Sequence, residues 1–235
     1  METIKTTELN GYKIYPFKNR KTFLDQLDEN LWNNILVAIN AEKIVKEDKY
    51  LRTIVNQNVG YPDGISTVIA MKRKDFDTVK IPGAEFWLDI VERFYKEKTF
   101  YLIGAKRCVI EKTVTRLRNE YTGIKIVNYR NGYIGEDEYP ALFEDIVKKA
   151  PDVVFVAMGS PRQEYVMQKM FGHHKALYMG LGGSFDVYTG EKKRAPKLLQ
   201  SVGLEWSYRL FKEPSRVFRQ TSLVTFAYML FTNKL

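Results

Sequence analysis

A carboxylate held in a tight turn can accept the proton of an attacking hydroxyl, and Gly60-Tyr61-Pro62-Asp63-Gly64 presents one. An apolar, β-branched run over residues 53–59 precedes it and reads as a strand. That places Asp63 at a strand's carboxyl end, where α/β enzymes hold reactive groups. The plainer reading of Pro-Asp-Gly is a turn in which Asp bonds its own backbone and Gly takes positive φ. A second constellation, Met158-Gly159-Ser160-Pro161-Arg162-Gln163-Glu164, follows the apolar run Val153-Val154-Phe155-Val156-Ala157. Ser160 reads as an N-cap, Pro161 as the first helical residue and Gln163 as the partner in a capping box. The same geometry would present free N–H groups and Arg162 to an anion, and Gln163 can turn its amide to a sugar hydroxyl or a uracil edge.

The third group is Gly180-Leu181-Gly182-Gly183-Ser184-Phe185-Asp186. Gly182 and Gly183 let a backbone approach a ligand closely, and Asp186 is a candidate for holding Arg194 or a substrate hydroxyl. A structural glycine turn accounts for the same residues. Phe185 stands where the dinucleotide fingerprint requires its third glycine, which argues against a dehydrogenase or another nucleotide-dependent enzyme of that kind. Metal chemistry finds little support. His173 and His174 are adjacent and point to different sides, and no Cys/His ligand pattern occurs. Asp75-Phe76-Asp77 spells the D-x-D of many metal-dependent sugar transferases, but lies in a charged stretch that reads as a solvated face. No metal and no cofactor are expected, so positive charge on a leaving group must come from Arg, Lys and helix N-termini.

The elements that would position these groups are short β-branched runs at 35–40, 53–59, 99–103, 124–128, 152–157 and 176–180, most followed by turn signals and a helical pattern. That alternation predicts an α/β fold: a Rossmann-like, largely parallel sheet flanked by helices. After 99–103, Gly104-Ala105-Lys106-Arg107 opens a helical stretch over 109–119, a plausible phosphate seat at a helix N-terminus and equally a plain βα turn. Composition shifts after Pro196. From there Lys197, Arg209, Lys212, Arg216, Arg219 and Lys234 interleave with aromatics, so 196–235 reads as a basic amphipathic helical appendage to a core over 1–195, suited to an anionic membrane surface. A terminal helix packed on the core with a solvated basic face is the alternative.

A chain of 235 residues can bury one substantial core, and its net charge of +9 favours polyanionic partners: nucleic acid, phosphorylated small molecules or anionic lipid. Nucleic acid is disfavoured, because the basic and aromatic residues cluster in one terminal segment and no named module motif appears. The lone Cys108 cannot form an internal disulfide, the start lacks signal-peptide order, and no apolar run approaches the roughly 18 residues of a spanning helix. A cytoplasmic protein lying on the membrane face is expected.

Taken together, the segments Ala38-Ile39-Asn40-Ala41-Glu42, Pro62-Asp63-Gly64, Ile81-Pro82-Gly83, Leu102-Ile103-Gly104-Ala105, Gly159-Ser160-Pro161-Arg162-Gln163-Glu164 and Gly182-Gly183-Ser184-Phe185-Asp186-Val187 carry a resemblance. Lys193-Arg194-Ala195-Pro196, Gly203-Leu204-Glu205-Trp206, Tyr208-Arg209-Leu210 and Glu213-Pro214 continue it. The ordered set, over about 38–219, resembles the bacterial WecG/TagA/CpsF glycosyltransferases, glycosyltransferase family 26. The resemblance implies metal-independent, inverting transfer from a UDP-sugar, often UDP-N-acetylmannosamine, onto an undecaprenyl-diphosphate-linked sugar at the cytoplasmic membrane face. Products in the family include teichoic-acid linkage units, capsules and other surface polysaccharides. By position Asp63 matches the proposed base, Asn40 and Gln163 match residues at the donor or acceptor, and Arg209, Arg216 and Arg219 match arginines that bind the lipid pyrophosphate. Ala38 stands where many members carry Thr, and Lys80 where Arg commonly precedes the Val/Ile-Pro-Gly; both bear on donor identity. Whether the chain forms a homo-oligomer is left open.

Overall fold

Six parallel strands form the centre of the computed structural model, which describes residues 4–193, 195–196 and 217–235, the side chains of 217–220 excepted. The strands are β3 (Ile35–Ile39), β4 (Val59–Pro62), β5 (Thr99–Gly104), β6 (Lys125–Arg130), β7 (Val153–Ala157) and β8 (Leu177–Gly180), in the spatial order β4-β3-β8-β7-β5-β6. The chain leaves β3 toward one edge of the sheet and β5 toward the other, which opens a crevice over the carboxyl ends of the strands between them, β8 and β7. Successive side chains of a strand face opposite sides, and the core divides accordingly. Phe100, Leu102, Val153 and Phe155 enter one apolar cluster, while Tyr101, Ile103, Val154 and Val156 enter the other. Helices cover both faces, which is why β7 reads as an unbroken apolar run.

On the first face lie α1 (Arg20–Gln26), α5 (Gly83–Phe94), α6 (Arg107–Glu120) and α9 (Ser184–Tyr188). The second carries α2 (Ala41–Val45), α3 (Lys49–Gln57), α4 (Ile65–Arg73), α7 (Tyr139–Lys149) and α8 (Arg162–His173). Ahead of the sheet, β1 (Thr7–Leu9) and β2 (Tyr12–Ile14) pair antiparallel through Asn10-Gly11, both at positive φ. An Asn-Gly pair suits such a two-residue turn because both residues tolerate the left-handed region. Tyr15 then donates its N–H to Gly60 O at 2.8 Å, covering the β4 edge.

The run over 53–59 is not a strand. Residues 53–57 belong to α3, and β4 begins at Val59. Asp48 caps the helix, its side chain accepting from Leu51 N, and Leu51, Ile54 and Val55 recur at helical spacing to bury one face. This amphipathic spacing outweighs the β-preference of Thr53, Ile54 and Val55. Asp63 keeps its place at a strand's carboxyl end, because the misplaced strand and the true one finish at the same turn.

The C-terminal helix, Val217–Phe231, packs beside α2 and buries Phe226. Arg73 Nη1 reaches Leu230 O at 3.0 Å, and Lys74 Nζ reaches Leu235 O at 2.8 Å. Most of the basic residues expected to define this segment, among them Lys197, Arg209, Lys212 and Arg216, lie outside the described residues. Over 221–235 Lys234 is the one basic residue, so the described part of the helix is apolar.

Gly104 ends β5 at φ +142, and a Cβ there would sit 2.4 Å from Ala157 O. Both the dihedral and the contact exclude a side chain. Gly104→Ala is expected to destabilise the fold by about 2–3 kcal/mol, lowering Tm by roughly 5–10 °C in a thermal melt. An unchanged Tm would contradict this account of the β5–β7 contact.

Candidate active site

The crevice is bordered by the turns that leave β4, β3, β8 and β7. Asp63 N donates to Ile39 O at 3.0 Å, extending the β3–β4 ladder by one bond. The half-buried Asp63 side chain does not close its own turn. Its Oδ1 accepts the backbone N–H of Gly83 at 2.8 Å, twenty residues away and at the first position of the 12-residue helix α5. The bond fixes the carboxylate at the N-terminus of α5, a place that suits an acceptor. Gly64 has an ordinary negative φ, and its role is proximity: a Cβ there would meet Asn40 Cβ at 3.3 Å. Asp63 and Asn40 are thereby brought to one corner. Gly83 is equally confined, since a Cβ would approach the Tyr61 hydroxyl to 2.8 Å. Burial, then the negative charges of Asp63 and Glu164, push the Tyr61 phenol well above its ordinary range, so it stays a neutral donor.

Asn40 is the N-cap of α2, its Oδ1 accepting from Lys43 N at 3.1 Å. The Lys43 ammonium turns inward, donating to Ala38 O at 2.9 Å and to Glu164 Oε1 at 2.7 Å. Both partners are buried, their side chains 9% and 1% exposed. Burial works to raise the Glu164 carboxyl; the charge and hydrogen bond of Lys43, with a bond from Gln163, outweigh it and hold the group below the usual glutamate range.

The capping box expected at Ser160 and Gln163 is absent. Pro161 occupies the N-cap position of α8 and no side chain caps the helix. The Gln163 side chain instead lies across β8, where a Cβ on Gly180 would sit 2.5 Å from its Nε2. Gln163 Oε1 accepts from Gly182 N at 2.9 Å and Nε2 donates to Glu164 Oε1 at 3.2 Å. A helix whose first turn packs against a neighbouring strand spends its glutamine on that contact rather than on its own N-terminus. Gly182 takes positive φ, +57°, and Gly183 is exposed at the lip of the crevice.

The other expected residues divide. Asp186 is half-buried on α9 beside this turn, its carbonyl accepting from Lys192 N. The exposed Arg162 is tied by its guanidinium to Ile134 O, beyond β6, and so lies across the β6 side of the crevice rather than at the Asp63 corner. At Gly104 the Ala105 N–H is taken by Ala157 O at 3.0 Å, so the glycine serves the close passage of two strands and this N–H does not face a phosphate. Arg194, Arg209 and Arg216 lie outside the described residues, as does the side chain of Arg219. Asp75 and Asp77 are exposed. His173 stacks on Phe143, while His174 Nε2 lies 2.8 Å from Pro151 O. Among the described residues no group of three His, Cys, Asp or Glu is arranged to hold a metal. Lys43, Glu164 and Tyr61 were not marked by the sequence as site residues; Glu164 stood within a recognised motif, but nothing local points to its partner 121 residues away.

Compared with known protein families, the chain matches the model described as "Glycosyl transferase WecG/TagA/CpsF family" over residues 8–235.

A carboxyl held below its unfolded value contributes stability that is complete above about pH 4.3 and is lost as pH falls through the depressed folded value. Lys43→Met leaves the buried carboxylate unpaired and is expected to destabilise the protein by about 3–5 kcal/mol at pH 7. That deficit should shrink in melts at pH 3.5, below the unfolded carboxyl value, because the unpaired and buried Glu164 of the variant is neutral there. A deficit equal at both pH values would show that the ion pair is not its source.

Proposed function

The chain belongs to the WecG/TagA/CpsF glycosyltransferase family, and on that premise we propose that it moves a sugar from UDP onto an undecaprenyl-diphosphate-linked sugar, with inversion and with Asp63 as general base. The family makes it a transferase that uses a nucleotide-sugar donor and a sugar acceptor. N-acetylmannosamine is the first candidate for the transferred sugar, with glucose or a uronic acid as alternatives, in the synthesis of a teichoic acid or another surface polysaccharide. The observation that carries the reading is the Asp63 carboxylate, fixed through Oδ1 by Gly83 N at the carboxyl ends of β3 and β4 and beside Asn40. One oxygen is committed to the protein, and the other is the atom to receive a proton.

In the proposed reaction the acceptor hydroxyl attacks the anomeric carbon on the face opposite UDP. Its proton passes to Asp63 as the new C–O bond forms and the bond to the UDP oxygen breaks. General-base assistance of this kind contributes roughly 100- to 10,000-fold. The departing diphosphate needs fixed positive charge and N–H donors, each worth about 3 kcal/mol in a dry site. The Gly182-Gly183 turn and Arg162 border the crevice where it would lie, and Arg194, Arg209, Arg216 and Arg219 are the further candidates. No metal is assigned a part.

No helix among the described residues is long and apolar enough to cross a membrane. The C-terminal helix exposes Val224, Tyr228 and Phe231 at 73%, 59% and 75%, one helical face, with Arg73, Lys74 and Lys234 nearby. An apolar face flanked by basic side chains suits a peripheral position on an anionic membrane, where a lipid-linked acceptor resides.

The test is UDP release from a panel of UDP-sugars with a synthetic polyprenyl-diphosphate-linked N-acetylglucosamine acceptor. Asp63→Asn should lower kcat by about 100- to 10,000-fold while UDP binding stays within a few-fold of wild type. Acceptor-dependent release that survives the substitution would reduce Asp63 to a structural residue.

A further inference from the structure

Two borders of the crevice are joined beneath its floor by a chain of buried side chains. It runs from Ala38 O through Lys43 Nζ, Glu164 Oε1 and the Gln163 amide to Gly182 N, with bonds of 2.9, 2.7, 3.2 and 2.9 Å. Resting on the crevice as the place of sugar transfer, we propose that Lys43 and Glu164 are positioning residues: they fix the Gly182-Gly183 turn relative to the Asp63–Asn40 corner.

An amide is nearly symmetric in shape, so its direction is decided by its neighbours. An ionised Glu164 only accepts; it therefore turns Gln163 Nε2 toward itself and leaves Oε1 for the Gly182 N–H. The reverse orientation would set oxygen against oxygen and N–H against N–H. Lys43 keeps Glu164 ionised, and it belongs to the opposite border: its ammonium holds Ala38 O on β3, and its backbone N–H holds the Asn40 side chain, against which Gly64 packs. Buried ion pairs replaced by apolar residues of similar volume often leave stability unchanged or improved. A pair retained at 9% and 1% exposure, one bond away from two motif residues, is accounted for by the orientation it imposes. Among the described residues Glu164 receives its hydrogen bonds through Oε1, from Lys43 and Gln163, and none reaches the buried Oε2.

The experiment compares wild type, Glu164→Gln and the double variant Lys43→Met/Glu164→Leu by melting temperature, steady-state kinetics with the preferred UDP-sugar, and amide exchange at Gly182. A glutamine at 164 can offer Gln163 either an oxygen or an NH2 and so no longer decides its direction. The double variant should melt within a few degrees of wild type, yet both variants should show kcat lowered about 10- to 100-fold, donor KM changed less than about 3-fold, and Gly182 exchange at least about 10-fold faster. Wild-type kcat in a stable double variant, or unchanged exchange at Gly182 in Glu164→Gln, would overturn the proposal. If wild type itself turns over no UDP-sugar, the reading of the reaction fails, and exchange at Gly182 alone then decides whether Glu164 positions the turn.

Discussion

Parallel strands share a direction, and when six of them line up every carboxyl end emerges on one edge of the sheet. Their backbone groups are satisfied by neighbours along the ladder, and the crevice over β8 and β7 is where the turns beyond them converge. Asp63 makes use of this. Its N–H still belongs to the β3–β4 ladder, while its side chain has already crossed to the N-terminus of α5. One residue thus ties the sheet to a helix on its first face, and the glycines on either side of that contact are fixed by what surrounds them. Gly64 makes room for Asn40, and Gly83 for Tyr61.

The second face supplies the polar floor. Helices α2 and α8 could have met through apolar side chains and instead meet through Lys43 and Glu164. Removing two charges from water is costly, and such a pair is held only where hydrogen bonds complete it. Here each partner has a further bond: Lys43 to Ala38 O, and Glu164 to Gln163. Beside the pair, the buried Tyr61 hydroxyl has no hydrogen-bond partner among the described residues. Tyr61, Lys43, Gln163 and Glu164 thus place polar groups beneath the crevice, near the carboxyl ends of β3, β4 and β8.

Sequence pattern conveyed the sheet well because buried parallel strands announce themselves: Val153–Ala157 and Ile35–Ile39 are apolar without interruption. It failed where two periods competed. Thr53, Ile54 and Val55 suggest a strand by type, while Leu51, Ile54 and Val55 mark a helix face by spacing, and the Asp48 cap decides the matter. The hairpin Thr7–Ile14 is too short to show alternation, although its Asn10-Gly11 turn was available as a signal. Of the site, Asp63, Asn40 and Gln163 were legible as motif residues, but their partners were not. Gly83 N and Gly182 N are brought to Asp63 and Gln163, and Lys43 to Glu164, by the fold, which a local pattern does not carry. Gln163 shows the limit most clearly: its position after Pro161 suggests a cap, and only the passage of β8 alongside α8 gives it another use.

The central claim is that sugar transfer takes place over the carboxyl ends of β3, β4, β8 and β7 with Asp63 at the attacking side, and a structure of the protein bound to an unreactive UDP-sugar analogue tests it most directly. The account predicts the diphosphate against the Gly182-Gly183 turn and the anomeric carbon turned toward Asp63, leaving room for an acceptor hydroxyl within about 2.6–3.2 Å of the free carboxylate oxygen. A nucleotide-sugar seated away from this crevice, or one that turns its anomeric carbon away from Asp63, would contradict it.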